Sequence, residues 1–385
     1  MSCQQASQQP PHPDPFDWAQ DRPLPQGERE PIATASFPKL ARAIYQRTEG
    51  NPLFLVSVVE DLLTQGALIR RNGTWQLPDE GEATAARALL EQAAPFRDLQ
   101  KDAPHPMFVF WLSYFARVLG VLGYPDQALK KIHEALTLAR QTTYPFPLAW
   151  ALTFAATLSQ LRGEVQKAQE QAEAVIALST KYGFPHWLAW ATILRGWVLT
   201  KQGQVDEGIA QIRQGLTAWQ ATGAELGRSH FIALLTEAYR QTRQTEEGLS
   251  VLTEALAAVD KTGERFYEAE LYRLKGELTL AQSSVQGLAS RVQKKQKSRV
   301  DIPQSAFRNP HSEAEACFLK AIEIARKQQA KLWELRATMS LARLWQQQGK
   351  KKQARQMLAE IYGWFTEGFN TVDLKEAKAL LAKLS

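Results

Sequence analysis

The side chains best equipped for chemistry are scattered along the chain. Six histidines, His12, His105, His133, His186, His230 and His311, stand singly, with no two at metal-ligand spacing. His133 falls mid-helix beside Ile132 and reads as a surface or packing histidine. The two cysteines, Cys3 and Cys317, form no CxxC pair, so zinc and disulfide readings have no support. Nucleotide hydrolysis needs a loop whose amides cradle phosphates, followed by a lysine and a hydroxyl for the metal. Neither GxxxxGKS nor GxxxxGKT occurs, and the Gly349-Lys350 pair lacks the upstream glycine. GxGxxG, HExxH and the GxSxG nucleophile elbow are absent too. No catalytic, cofactor-binding or metal-ligating residue is therefore assigned, and the chain is expected not to be an enzyme.

What the residue types offer instead is recognition. There are eleven tryptophans, and Trp187, Trp190 and Trp197 share one predicted helix, with Trp150 ahead of them. One reading has them filling wide gaps between helices. The sharper reading is an aromatic-lined concave groove. Its candidate lining is Trp190, Arg195, Trp197, Glu237, Arg240, Glu270, Arg273 and Glu277, whose polar members otherwise form an ordinary solvated face.

These residues sit on a repeat. Helix breaks fall at Gly123, Gly163, Gly203, Arg243 and Ser283, 40 residues apart each time. Five positions after a break comes a small residue: Ala128, Ala168, Gly208, Gly248. Twelve before sit Trp111, Ala151, Ala191, Phe231 and Leu271; five before sit Val118, Leu158, Val198, Ala238 and Leu278; nine after sit Ile132, Ala172, Ile212 and Leu252. Offsets of seven in the first helix and four in the second keep each set on one face. Two such helices make a hairpin with one apolar side, which only stacked neighbours can bury. The pattern resumes at Ala314, Phe318 and Ala321 after 26 extra residues, and again after Gly349 with Ala354, Leu358 and Ile361. LKEAKALLAKL then supplies a C-terminal helix able to cap the open end. The fold class is all-α: a tetratricopeptide-like superhelical solenoid of two-helix repeats over residues 107–385.

The remaining segments differ in composition. Residues 1–36 hold Pro10, Pro11, Pro13, Pro15, Pro23, Pro25 and Pro31 and read as a disordered tail. Residues 37–77 read as helix plus hairpin: an amphipathic helix from Pro52 with Phe54, Val58, Leu62 and Leu63 on one face, then β-prone runs around Asn72-Gly73. That combination suggests a partial winged helix. Residues 78–106 form a linker. The insertion, 284–309, is expected to be disordered. Between Ser284 and Pro310 lie Arg291, Lys294, Lys295, Lys297, Arg299 and Arg308 against Asp301, a net +5 of the chain's +6. The repeats themselves therefore carry no basic face for nucleic acid, and the insertion lacks the aromatics that base stacking uses. No apolar run reaches the roughly 18 residues of a membrane span. The first residues also lack a secretion signal. The expected location is the cytoplasm, with no membrane partner.

LGYPDQAL, LAWATILRGWVLTKQGQ, EGIAQIRQGLTAWQATGAELGR, KTGERFYEAELYRLKGELTL and IYGWFTEGFNTVDLKEAKALL resemble the C-terminal region of large bacterial STAND-type, AAA-related signalling ATPases, often fused to class III adenylate/guanylate cyclase domains. The likeness covers most of Trp111 to Ser385. YQRTEGNPLFLVSVVEDLLTQGALIRRNGTWQL is similar to the segment that follows their nucleotide-binding core. The resemblance implies an order of output domain, P-loop ATPase, winged helix and repeat sensor, of which only the later parts have counterparts here. No catalytic residue carries over, and a truncated, rearranged or split product is expected. The leading functional expectation is a non-catalytic sensor module that binds a protein, peptide or effector in its concave groove. A second is a DNA-binding regulator using residues 51–77 and the basic insertion. A third is a subunit working in trans with a separate ATPase or cyclase chain. No cofactor is expected.

Overall fold

The computed structural model describes residues 70–71, 74–75, 106–224, 227–294 and 309–384; for 70–71, 74–75, 106, 107, 262 and 284–294 it describes the backbone alone. The Pro-rich tail, the helix from Pro52 and all of the linker but Pro106 lie outside these residues. The strands β1 (Arg70–Arg71) and β2 (Thr74–Trp75) pair antiparallel, Arg70 opposite Trp75 and Arg71 opposite Thr74, as a hairpin with a two-residue connection requires.

Thirteen helices follow among the described residues. First helices of successive repeats are α1 (Pro106–Leu122), α3 (Pro145–Leu161), α5 (Pro185–Lys201), α7 (Arg228–Thr242), α9 (Glu268–Lys294) and α11 (Lys331–Gln347). Second helices are α2 (Pro125–Gln141), α4 (Val165–Tyr182), α6 (Val205–Ala221), α8 (Thr245–Thr262), α10 (Pro310–Lys327) and α12 (Lys351–Trp364), with α13 (Val372–Lys383) closing the chain. Prolines open α2, α3, α5 and α10, where a missing amide costs nothing. Each first helix packs on its own second helix and on the first helices of neighbouring repeats, whereas consecutive second helices make no comparable contact. The first helices thus line the inside of the curve. The architecture is an all-α tetratricopeptide-like solenoid.

The breaks at Gly123, Gly163, Gly203, Arg243 and Gly349 are all left-handed turns, with φ between 61° and 97°. Glycine adopts that backbone freely, while Arg243 at φ 61° bears a side-chain penalty. The small residues lie at the tightest helix crossings. A Cβ built on Gly208 would meet Thr200 Cγ2 at 2.5 Å and the Gly196 carbonyl oxygen at 2.6 Å. The residues at the three other repeat offsets are buried, with Trp111 partly so.

Two expectations are corrected. Ser283 is no break: α9 passes through it, and its hydroxyl donates to the Leu280 carbonyl within the helix. The stretch AQSSVQGLASRVQ has no proline, and its lone Gly287 does not stop a helix already propagating. Consequently, residues 284–294 of the insertion are helical rather than disordered, making α9 27 residues long.

Two substitutions test the repeat geometry. Gly208→Ala gains about 1 kcal/mol of helix propensity but presses a methyl on backbone, at about 1–3 kcal/mol; a net loss of up to about 2 kcal/mol is expected. Arg243→Gly should stabilise by about 0.5–1 kcal/mol, the left-handed penalty less the unfolded-state entropy of glycine. Urea midpoints of the two variants should move in opposite directions.

Candidate functional site

The eight candidate residues separate into three fates. Trp190 and Trp197 do not line an open groove: they are 4% and 2% exposed. Trp190 meets Trp219 and Phe231 edge-on, with ring centroids 5.5 and 5.3 Å away, and Phe154 of α3 at 5.6 Å, and so fills the space where three repeats meet. Arg195 turns to the second helix of its own repeat, where its Nε donates to Gln211 Oε1 at 3.0 Å. The remaining five, Glu237, Arg240, Glu270, Arg273 and Glu277, come together on the inner surface.

They form the middle of a ladder of ion pairs between consecutive first helices. Lys201 on α5 reaches Glu237 on α7 at 2.6 Å, and Arg240 on α7 reaches Glu277 on α9 at 3.2 Å. Glu277 also accepts from Ser340 Oγ on α11 at 2.8 Å. On α11, Arg336 grips Asp373 of α13 with two bonds of 2.7 and 2.9 Å, and Arg343 reaches Glu376 at 2.9 Å. Arg273 lies within the ladder, donating to both Glu270 oxygens at 2.6 and 2.7 Å and to Glu277 at 2.6 Å. Lys201, Ser340, Arg336, Asp373, Arg343 and Glu376 were missed from sequence. A signal existed: base precedes acid by 36 residues for Lys201–Glu237 and by 37 for Arg336–Asp373, one helical turn short of the repeat.

Electrostatics fix these charges. Burial pushes the Glu237 and Glu277 pKa values up, but the Lys201 and Arg273 charges around Glu237, and Arg273 and Arg240 around Glu277, outweigh it and hold both carboxyls below their ordinary range. Burial likewise works against the Arg273 charge, yet Glu270 and Glu277 raise its pKa well above the usual value. Groups held this firmly in the charged form recognise charge and hydrogen-bonding partners; they are poorly matched to proton transfer near neutrality. The side chains at the ladder's outer side stay accessible, Arg240 being 41% and Arg343 44% exposed.

Deeper in the curve the inner surface is filled. His230 on α7 meets Gln160 of α3 at 3.1 Å and stacks on Tyr267, which in turn packs on Trp333 of α11. The Arg117 guanidinium of α1 lies 4.6 Å over the Phe266 ring just before α9. These residues, all buried, correct the expectation of an open concave groove: on this side the coil touches itself across its axis. These contacts were not legible in the sequence, because a single histidine and a single arginine carry no pattern. Burial drives the His230 pKa well below its ordinary value, with Arg117 adding to the effect, and burial brings that of His186 down to about 4. Burial also pushes the Tyr267 hydroxyl up to about 12. Among the described residues, no cluster of three or more His, Cys, Asp or Glu could hold a metal ion, and no helix is long and apolar enough to cross a membrane.

No protein-family model and no curated protein matches the chain. Among solved structures it is similar to a Rap protein complexed with Competence and Sporulation Factor, with TM-score 0.53 and 13% identity over 86% of this chain and 79% of that one. It is similar also to NprR in complex with its cognate peptide NprX, with TM-score 0.52 and 14% identity over 78% of this chain and 82% of that one. A third is a STAND protein with a tetratricopeptide repeat sensor from Pyrococcus horikoshii, with TM-score 0.43 and 14% identity over 90% of this chain and 46% of that one. The first two likenesses show the fold alone, and the third, below 0.5, supports nothing further.

Two histidines, His230 buried and His186 half-buried, set a pH dependence. Both are neutral in the folded chain, while unfolded histidine takes up a proton near pH 6.5. The unfolded state therefore binds more protons below that pH, so stability falls as pH drops from about 6.5, down to about 4 for His186. Each histidine contributes a slope of at most about 1.4 kcal/mol per pH unit in that window. Urea midpoints measured between pH 7.5 and 5 should decline below 6.5, and His186→Gln should remove roughly half of the decline.

Proposed function

We propose that the array is a non-catalytic protein-interaction module, and that an extended peptide or a segment of a protein partner docks along the ion-pair ladder of α5, α7, α9, α11 and α13. The convergence of Glu237, Arg240, Glu270, Arg273 and Glu277 carries this reading. The ladder crosses four successive first helices and ends on the closing helix α13, so it presents charged and hydrogen-bonding groups at intervals to a chain laid across them. Arg240, Glu237 and Lys201 are accessible enough to exchange an internal partner for an external one. Rap and NprR, which share the fold, are seen with Competence and Sporulation Factor and with the peptide NprX, respectively. The finer role supported by the quoted resemblance is that of a sensor in a bacterial signal-transduction ATPase or cyclase system, in one polypeptide or in trans. Partner binding would bias the output between two states by its differential affinity for them.

The experiment is selection of binding peptides from a random-sequence library on the full chain, followed by calorimetry of the best binder. Arg240→Glu should weaken binding by about 10–100-fold, since reversing one of a pair of charges at a recognition strip costs about 1.4–3 kcal/mol. Selected peptides that bind Arg240→Glu and Glu277→Gln as well as the parent would place recognition elsewhere. ATP turnover by the purified chain, lost on the same substitutions, would sink the non-catalytic reading.

A further inference from the structure

The solenoid completes a turn and meets its own beginning, and the meeting is made by a different kind of contact from the rest. Between α12 and α13, residues 365–371 lie against the turns that follow α1 and α3. Glu367 Oε1 accepts the Asp126 and Gln127 amides at 2.9 and 3.1 Å, and its Oε2 accepts Gln127 Nε2 at 3.0 Å. A carboxylate some 240 residues away thus caps the N-terminus of α2, whose own preceding residue, Tyr124, offers no side-chain cap. The bond is returned: the Gly368 amide donates to Asp126 Oδ2 at 2.9 Å. Arg162, after α3, donates to the Pro125 carbonyl at 2.8 Å and to Asn370 Oδ1 at 3.5 Å, and Arg336 donates to the Leu161 carbonyl at 2.9 Å. The turn glycines fit closely there. A Cβ on Gly163 would stand 2.7 Å from Val372 Cγ2, and one on Gly123 would stand 2.7 Å from Trp364 Cζ3.

Adjacent repeats are joined by apolar cores, one cluster running through the first repeats and two more through the last, which are costly to expose. The seam mixes the polar contacts above, Asp126 being 50% exposed, with a short apolar strip in which Tyr124 meets Trp364 at 5.4 Å and Val372 lies on Gly163. A seam of this mixed, partly exposed kind has less apolar area to lose than a repeat-to-repeat interface. The cross-axis contacts, Arg117 over Phe266 and His230 with Gln160, join non-neighbouring repeats and depend on the coil staying wound. Behind them are polar atoms without a protein partner, His230 Nδ1, Thr236 Oγ1, Thr338 Oγ1 and Trp333 Nε1.

We propose that residues 365–373 form a latch that keeps the superhelix wound shut after one turn, and that its release, without unfolding of any repeat, exposes the buried inner surface of α1, α3, α7, α9 and α11. The latch rests on contacts within the chain and not on the identity of the ladder's partner, although the two share the Arg336–Asp373 pair.

The test uses the full chain with Glu367→Ala and the milder Glu367→Gln, read by hydrogen exchange, small-angle scattering and far-ultraviolet circular dichroism. Loss of the capping carboxylate should speed amide exchange about tenfold in residues 117–127, 266–271 and 333–336, and raise the radius of gyration at unchanged helicity. Residues 193–198, in the apolar stack, should keep their protection, and Glu367→Gln should fall between parent and Glu367→Ala. Faster exchange confined to 124–128 and 366–371, with an unchanged radius, would overturn the latch. So would loss of helicity in both variants, because the seam would then be part of the folding core rather than a releasable contact.

Discussion

A two-helix hairpin with one apolar side has nowhere to bury it but against a copy of itself, and that constraint generates nearly everything else here. First helices pack on one another while second helices do not. The difference in spacing between inner and outer rows bends the stack, and repetition turns the bend into a coil. The close crossings that set the spacing depend on small residues, most plainly where Gly208 faces the Gly196 carbonyl. A larger residue there alters the local pitch as well as the local energy, because each repeat passes its orientation to the next.

Bending has an electrostatic consequence. It brings the inner faces of first helices near enough for long charged side chains to span from one to the next, which the outer faces cannot do. Lys201 and Arg240 each reach forward to an acid on the following first helix, and Arg336 to one on the closing helix α13. Partly buried pairs of this kind add little net stability, since desolvation offsets much of the attraction. Their effect is on specificity: a partner that breaks a rung must supply matching charge, and one that does not leaves a desolvated ion behind.

What could be read from the sequence was what repeats locally. Gly123, Gly163, Gly203 and Gly349 were legible as turns because a left-handed backbone strongly favours glycine, and Ala128, Ala168, Gly208 and Gly248 because close helix crossings need small side chains. Arg243 was legible only by its position in the period. Ser283 misled because period alone does not end a helix; it lacks the left-handed residue, glycine at every break but Arg243, that ends the others. Trp190 and Trp197 were ambiguous in principle, since aromatic residues at helical spacing look alike in a core and in a groove. Five of the eight candidate site residues converge because charge on a first helix at this depth faces inward. Glu367 and Asp126 carried no signal at all: they are related by the winding of the whole coil, which no short window of sequence contains.

The mutual capping of Asp126 and Glu367 also makes the array a device that counts. An open solenoid tolerates one repeat more or fewer, since each unit needs only its neighbours. Here the closing segment must arrive over the α2 N-terminus after a set number of repeats, and a whole added repeat would carry Glu367 past its partner amides. Length can vary freely only where it leaves the winding untouched, as in the extension of α9 beyond Ser283, which lengthens the chain without adding a step to the coil.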